Sequence, residues 1–206
     1  MNPGPRLLVV SAHFPPDFVS GGTLVPDREA RQLATRGWEV SVYAGSLAAD
    51  RDPLETWDDS VDGLAVRWIA IAPFTGWGDR RNYDNPAVVD DFRAHLAAIR
   101  PDVVHLHSLQ TMGGEMVRAA REAGAVTVVT MHDFWWSCAR QFLVDRNWVP
   151  CSLVVDAGAC RCEVDREWLD ERNAWLRHEL AHADLVLAPS PVAAEVLAAN
   201  GVPVDR

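Results

Sequence analysis

Short runs of apolar residues alternate along the chain with segments whose apolar residues recur at helical spacing. The runs are four to eight residues long and rich in Val, Leu and Ile. Such runs are typical of strands buried on both faces. They lie at residues 7–12, 40–44, 64–71, 103–107, 126–131 and 185–188.

Helical spacing is clearest in residues 88–99, where five apolar side chains fall on one face and the pattern ends just before Pro101. Another helix is predicted to begin at Gly21-Gly22 and to end at Gly37. Strands that alternate with helices predict an α/β fold, a Rossmann-like, doubly wound and mostly parallel sheet with right-handed crossovers. Functional loops are expected at the carboxyl ends of its strands.

Two segments interrupt this alternation. Residues 72–85 mix glycine, aromatic and charged residues without a period, and residues 138–165 contain all four cysteines of the chain. Both segments follow strands, so they are expected to overhang the ligand edge of the sheet. The 206 residues are predicted to form one domain, and residues 201–206 have a composition suited to the start of an interdomain linker.

Composition narrows the classes of function. The chain is 49% hydrophobic and 23% charged, as is ordinary for a globular protein, and its net charge of −10 argues against nucleic acid as a partner. The N-terminus lacks the pattern of a signal peptide, and no apolar run approaches the ~20 residues of a membrane-spanning helix. These features predict a cytoplasmic protein with, at most, peripheral membrane contact.

The first predicted strand leads into a loop with candidate binding groups. His13 and Asp17 precede Ser20-Gly21-Gly22, where a helix begins. Glycines allow close approach of a ligand to the backbone, and free N–H groups at the positive end of a helix favour a phosphate. The pattern is neither G-x-G-x-x-G nor a P-loop, and an ordinary turn is the alternative.

Histidines follow two of the later strands. His132 and Asp133 come at the end of the strand at 126–131, where a titratable pair is a candidate for catalysis. His105 and His107 share one face of a strand predicted to be buried, so they could be a metal site or structural histidines held by main-chain hydrogen bonds, and we favour the second interpretation for His105. His107 is nearer the carboxyl end and is therefore the better cleft candidate.

The four cysteines are a further candidate site. Four thiolates in a short segment can surround a tetrahedral Zn²⁺ and order a loop that has little core of its own. Paired C-x-x-C motifs are absent, and disulfides or unpaired thiols remain alternatives. The residues concerned are Cys138, Cys151, Cys160 and Cys162.

Four motifs, in order, resemble those of the family-four retaining glycosyltransferases, which have the two-domain GT-B architecture. The first combines Phe14-Pro15-Pro16, Ser20-Gly21-Gly22 and the stretch RQLATRGWEV at 31–40. The others are PDVVHLHS at 101–108, TMHDFW at 130–135 and ADLVLAPS at 183–190. The resemblance implies that residues 1–206 are the N-terminal, acceptor-side domain, and that the donor-binding C-terminal domain is absent from this chain.

The resemblance also implies roles for residues. Gly21 and Gly22 would approach the diphosphate of a nucleotide-sugar donor, and His132 would lie beside the donor sugar as the catalytic residue. Candidates for the acceptor or the cleft are His13, Asp17, His107, Asp133 and Trp135.

The implied reaction transfers a sugar from a nucleotide-diphosphate sugar to a hydroxyl of a glycan, lipid or small molecule. The anomeric configuration would be retained and no cofactor would be required, and the isolated domain is expected to be inactive. One alternative is a non-catalytic nucleotide- or anion-binding Rossmann-like module. An NAD-linked oxidoreductase is disfavoured, because G-x-G-x-x-G and an acidic residue at the end of the second strand are missing.

Overall fold

The computed structural model describes residues 4–47, 50–72, 75–162 and 164–205. Within them, seven strands form one sheet in the order β3-β4-β2-β1-β5-β6-β7. The strands are β1 (Arg6–Ser11), β2 (Glu39–Ser46), β3 (Thr56–Val61), β4 (Leu64–Ala70), β5 (Val103–Leu106), β6 (Val126–Thr130) and β7 (Leu185–Leu187). The helices are α1 (Gly21–Thr35), α2 (Pro86–Ile99), α3 (Met116–Glu122), α4 (Arg166–Leu180) and α5 (Pro191–Ala199).

The strand order confirms the predicted Rossmann-like, doubly wound fold. All neighbouring strands are parallel except β3, which is antiparallel to β4. From β1 the chain proceeds outward through β2 to β4 and then returns to the other side of β1 for β5, β6 and β7. The direction of winding therefore reverses between β1 and β5, and such a switch point opens a crevice at the carboxyl ends of the strands.

Side chains of β1 alternate between two hydrophobic layers. Leu7 and Val9 pack in the layer that contains Ala30 of α1, whereas Leu8 and Val10 pack in the layer that contains α2. Val104 and Leu106 of β5 belong to the second layer. Alternation along β5 therefore turns His105 and His107 toward the α1 side of the sheet.

The sequence prediction omitted β3, and the structure corrects it. This strand contains Asp58 and Asp59 and lies at the sheet edge with largely exposed residues, so it lacks the apolar run of a buried strand. It forms a hairpin with β4 through Asp62 and Gly63, whose φ angles are 48° and 88°. An Asp-Gly pair between two strands is itself a strong hairpin signal.

Both irregular segments are confirmed as largely loop. The first, at residues 72–85, contains a short 3₁₀ turn at Arg80–Asn82, and the second, at 138–165, contains another at Ala157–Ala159. Residues 73, 74 and 163 of these segments lie outside the described residues. Among the helices that the structure describes, none has the length and apolar character needed to cross a bilayer.

Candidate functional site

The carboxyl ends of β1, β5 and β6 bring three histidines to one edge of the sheet. His13 follows β1, His107 follows β5 and His132 follows β6, and these strands are consecutive neighbours. Because the winding reverses between β1 and β5, this edge is the switch-point crevice where ligands of such sheets bind. His13, His107 and His132 therefore lie at the edge of the sheet where the sequence analysis expected the functional loops.

A carboxylate from α1 completes what we call the histidine cluster, defined as Glu29, His105, His107 and His132. Oε1 of Glu29 lies 2.6 Å from Nδ1 of His105, and its Oε2 lies 3.0 Å from Nε2 of His107. Nδ1 of His107 is in turn 2.9 Å from Nε2 of His132. Nε2 of His105 is 2.7 Å from Oγ1 of Thr130. The cluster thus connects α1, β5 and the end of β6.

These distances assign the protons of the connected rings. A ring nitrogen that faces a carboxylate at 3.0 Å must hold a proton, because two lone pairs would repel. We therefore assign the proton of His107 to Nε2, although its contact with Oε2 of Glu29 does not have hydrogen-bond geometry. Its Nδ1 must then accept a hydrogen bond from Nε2–H of His132. Nδ1 of His132 is left with its lone pair.

Glu29, His105 and His107 also offer three ligand atoms within 4.8 Å of one another. Ligands of a tetrahedral ion bound at about 2.0–2.1 Å lie about 3.3 Å apart. The Glu29–His105 separation of 2.6 Å is much shorter than this and is that of a strong hydrogen bond. We therefore interpret the group as hydrogen-bonded. The ring of His105 is held by the side chains of Glu29 and Thr130, and not by the main-chain hydrogen bonds that the sequence analysis favoured.

Burial and mutual contact set the charges of the cluster. Burial alone would raise the pKa of Glu29, but the hydrogen bond from His105 and the close contact with His107 outweigh it and lower that pKa to about 2. Burial lowers the pKa of His107 to about 4. Burial and the neighbouring His105 also lower the pKa of His132. At neutral pH the cluster therefore contains an ionised Glu29 and neutral rings at His107 and His132.

His132 and Asp133 line a narrow cavity at the sheet edge. Asp133 accepts a hydrogen bond of 2.8 Å from the backbone N–H of Trp135, yet burial raises the pKa of its carboxyl group to about 6. A carboxyl group with that pKa can exchange a proton near neutral pH. The cavity is lined by His107, Ser108, Leu109, Gln110, Thr130, His132, Asp133, Trp135, Trp136 and Gln141.

Trp135 lies mostly behind this cavity, with only 3% of its surface exposed. Its indole N–H donates to Oδ1 of Asn82 at 3.1 Å. The fully buried Arg172 of α4 lies over its ring and donates to its backbone carbonyl at 2.6 Å. The structure therefore places Trp135 as a wall of the cavity with little free surface for stacking on a ligand.

Gly21 and Gly22 form the first turn of α1, directly beside His132. A Cβ atom placed on Gly22 would lie 4.0 Å from Cβ of His132, and one on Gly21 would meet open space. Neither glycine has a left-handed backbone. The fold itself therefore does not require glycine at these positions. It leaves space next to the N-terminus of a helix, which suits an anion.

His13 and Asp17 are not brought together at this cavity. Nδ1 of His13 is buried without a hydrogen-bond partner, and burial lowers the pKa of its ring. Asp17 is exposed and lines a different hollow, beside Trp57 and Trp68 of β3 and β4. Of the two, only His13 lies directly at the end of a central strand.

The four cysteines lie apart from the histidine cluster and line a different cavity. They line this single cavity together with other residues of the segment that follows β6, and all four are free thiols. Burial raises the pKa of Cys151, and burial together with the neighbouring Cys160 thiol raises the pKa of Cys162 to about 12.

Sequence reasoning missed Glu29 and Arg172. Two histidines turned toward a covering helix require polar partners, which could have drawn attention to a carboxylate on α1. Arg172 falls on the same helical face as Trp168, Trp175 and Leu176. A charged residue within an apolar stripe is the signal that could have identified it as buried.

Comparisons with known proteins identify the family and the fold of the chain. The sequence matches the profile of glycosyltransferase family 4 over residues 19–206. A comparison with curated protein sequences gave no significant match.

Similar folds occur in several solved structures. Medicago truncatula UGT71G1 complexed with UDP-glucose has a TM-score of 0.53 at 11% identity, over 95% of this chain and 48% of that one. The α,α-trehalose 6-phosphate synthase of Burkholderia multivorans gives 0.54 at 9% identity, over 95% and 41%. The UDP-GlcNAc 2-epimerase of Methanocaldococcus jannaschii gives 0.50 at 10% identity, over 96% and 43%.

The chain thus spans less than half the length of each of these three proteins. An epimerase shares the fold, so the fold alone does not fix the reaction. The family match covers most of the sequence and includes the loops that carry Gly21, Gly22, His107 and His132. The chain therefore belongs to glycosyltransferase family 4, and its Rossmann-like domain is of the kind found in GT-B glycosyltransferases.

Proposed function

We propose that this chain is the acceptor-side domain of a retaining transferase that moves a sugar from a nucleotide-diphosphate sugar to an acceptor hydroxyl. The observation that carries the proposal is the position of Gly22 beside His132, at the switch point of the sheet. Space at a helix N-terminus next to a neutral histidine suits a donor whose diphosphate and sugar lie side by side. The UDP-glucose bound to Medicago truncatula UGT71G1 supports the donor class.

In this proposal, charge develops on the diphosphate as its bond to the sugar breaks. The first N–H groups of α1, at Gly21 and Gly22, stabilise that charge, because the positive end of the helix dipole is directed at it. His132 stands beside the sugar as a neutral ring, whose orientation is held by His107 and, through it, by Glu29. Asp133 and the polar groups of the narrow cavity contact the acceptor.

A second domain completes the donor site in this proposal. In a two-domain transferase the donor lies between the domains, so this chain supplies only part of its contacts. We expect the chain alone to bind UDP- or GDP-sugars with millimolar affinity or weaker, about −4 kcal/mol. Micromolar binding by the chain alone in calorimetry would contradict the assignment of the donor site.

The direct test uses the full-length protein with Gly22→Val, assayed by release of nucleoside diphosphate from a panel of sugar nucleotides. We expect loss of turnover, because the valine side chain occupies the space of the diphosphate. Gly76→Val is the control, since a Cβ at Gly76 meets open space, one at Gly22 meets only ordinary van der Waals contacts, and neither backbone is left-handed. Wild-type turnover in a folded Gly22→Val protein would remove the phosphate role. Inversion at the anomeric carbon in product NMR would remove retention.

A further inference from the structure

The segment from Cys138 to Cys162, here called the cysteine segment, is poorly supported by regular structure. It contains one isolated bridge, between Val144 and Pro150, and the 3₁₀ turn at 157–159. Three of its non-glycine residues have left-handed backbones, namely Gln141, Leu143 and Trp148. Ordering such a segment costs conformational entropy, and it has few backbone ladders to offset that cost.

Every cysteine of the protein belongs to this segment and lines the same cavity. The cysteines come from three separate stretches, at 138, at 151 and at 160–162, so the fold of the loop brings them together. Much of the remaining wall is apolar, with Leu143, Val154, Val155 and Ala159. Four thiols that line one cavity from separate positions offer a set of soft ligands to a metal ion.

Zinc fits this arrangement better than disulfides. All four cysteines are free thiols, so each can lose a proton and bind a metal ion. Across the described residues, no three of the four sulfur atoms lie within 4.8 Å of one another. Tetrahedral Zn²⁺ with Zn–S bonds of about 2.3 Å needs sulfur atoms about 3.8 Å apart. The thiols must therefore turn inward, and the open cavity between them gives room for that movement.

We propose that Cys138, Cys151, Cys160 and Cys162 bind one structural Zn²⁺ ion as thiolates. The thiols release their protons to solvent as the four Zn–S bonds form. The ion cross-links the three stretches of the cysteine segment and closes the cavity. It also fixes Gln141, which lies between the first two cysteines and lines the narrow cavity that contains His132 and Asp133.

The test is the metal content of the protein, purified without chelators and without a histidine tag. We expect about one equivalent of zinc by elemental analysis, retained in native mass spectrometry. The Cys160→Ser protein should lose that zinc. His105→Asn is the control, because Glu29, His105 and His107 are the group of the described residues whose ligand atoms already lie within 4.8 Å of one another, and this variant should retain the zinc.

If the Cys160→Ser protein fails to fold, a second measurement on the wild-type protein tests the proposal. Replacement of zinc by Co²⁺ should produce thiolate-to-cobalt charge-transfer bands, and the four thiols should resist alkylation until the metal is chelated. Less than a tenth of an equivalent of zinc, two disulfides, or iron with sulfide would each overturn the proposal. So would zinc that is lost in His105→Asn and kept in Cys160→Ser. These results do not depend on glycosyl transfer.

Discussion

The histidine cluster and the cysteine segment are six residues apart at His132 and Cys138, but they are held in place in different ways. The cluster is built on α1, β5 and β6, and its members are fixed by a chain of side-chain contacts. The cysteine segment has loop structure, and its support comes from side chains of other elements. A site on regular elements can be predicted from strand ends, whereas a site on a loop depends on anchors that are distant in sequence.

The largest expected effect concerns Arg172, the buried side chain that supports the loop between His132 and Cys138. Arg172 donates to the carbonyl of Trp135, to Oδ1 of Asn82 and to Oδ1 of Asn173. Arg172→Ala leaves the carbonyl of Trp135 and Oδ1 of Asn173 without this donor, leaves Oδ1 of Asn82 with the Trp135 indole N–H alone, and opens a cavity under the loop. We expect the free energy of unfolding in urea to fall by about 3–5 kcal/mol.

Arg166→Ala is the control for this change, because Arg166 lies on the same helix and is largely exposed. It should alter the free energy of unfolding by less than about 0.5 kcal/mol. Equal losses in the two variants would mean that the helix, and not the buried guanidinium, determines the stability of the loop. Hydrogen exchange should show the loss of protection in Arg172→Ala first in the cysteine segment.

Glu29→Gln should have the next largest effect, now confined to the histidine cluster. We expect a loss of about 2 kcal/mol at pH 7, because hydrogen bonds to a charged acceptor contribute more than neutral ones. Glu29 has a folded pKa of about 2, below its ordinary value of 4.5. Its stabilisation is therefore present above about pH 4.5 and is lost as the pH falls toward 2, so the difference between wild type and variant should shrink in that window.

The same variant tests whether Glu29 positions His132 or only stabilises the fold. A glutamine amide that donates to Nε2 of His107 moves the proton of that ring to Nδ1. His132 must then accept on Nε2 and hold its own proton on Nδ1. Imidazole ¹⁵N chemical shifts should report this change of tautomer, with the exposed His178 as an unchanged reference. An unchanged tautomer at His132 would limit Glu29 to a structural role.

Asp133→Asn should have a smaller effect of opposite sign. The folded pKa of Asp133 is raised to about 6 from an ordinary 3.8. Ionisation of Asp133 therefore destabilises the folded state relative to the unfolded state as the pH rises through that range. We expect Asn to raise the free energy of unfolding at pH 7 by about 1–2 kcal/mol, and to change it little at pH 4. Equal stability changes at the two pH values would contradict the raised pKa. Lower activity with higher stability would assign the carboxyl group to function.

The sequence predicted those parts of the molecule that follow from local patterns. Apolar runs predicted six of the seven strands, and the predicted ends of two of them gave the positions of His107 and His132 in the fold. The edge strand β3 was missed, since its acidic residues need no buried surface. Glu29 and Arg172 were missed because their roles depend on partners that are 76 residues and 90 residues away, His105 and Asn82. Single-sequence periodicity carries no information about such pairs.

The smallest expected effect tests the connection between the two regions. The side-chain amide of Gln141, in the cysteine segment, donates to Oε1 of Gln110, and both residues line the narrow cavity. Gln141→Ala removes a single neutral hydrogen bond, so we expect a loss of about 1 kcal/mol. Gln110→Ala should cost a similar amount. The double variant should lose less than the sum, with a coupling of at least about 0.5 kcal/mol, because either change breaks the same bond.

Losses that simply add in urea unfolding would show that the histidine cluster and the cysteine segment do not communicate through this contact. Coupling that disappears when zinc is chelated would show that the metal holds Gln141 in position. It would also show that the cysteine segment affects the narrow cavity that contains His132.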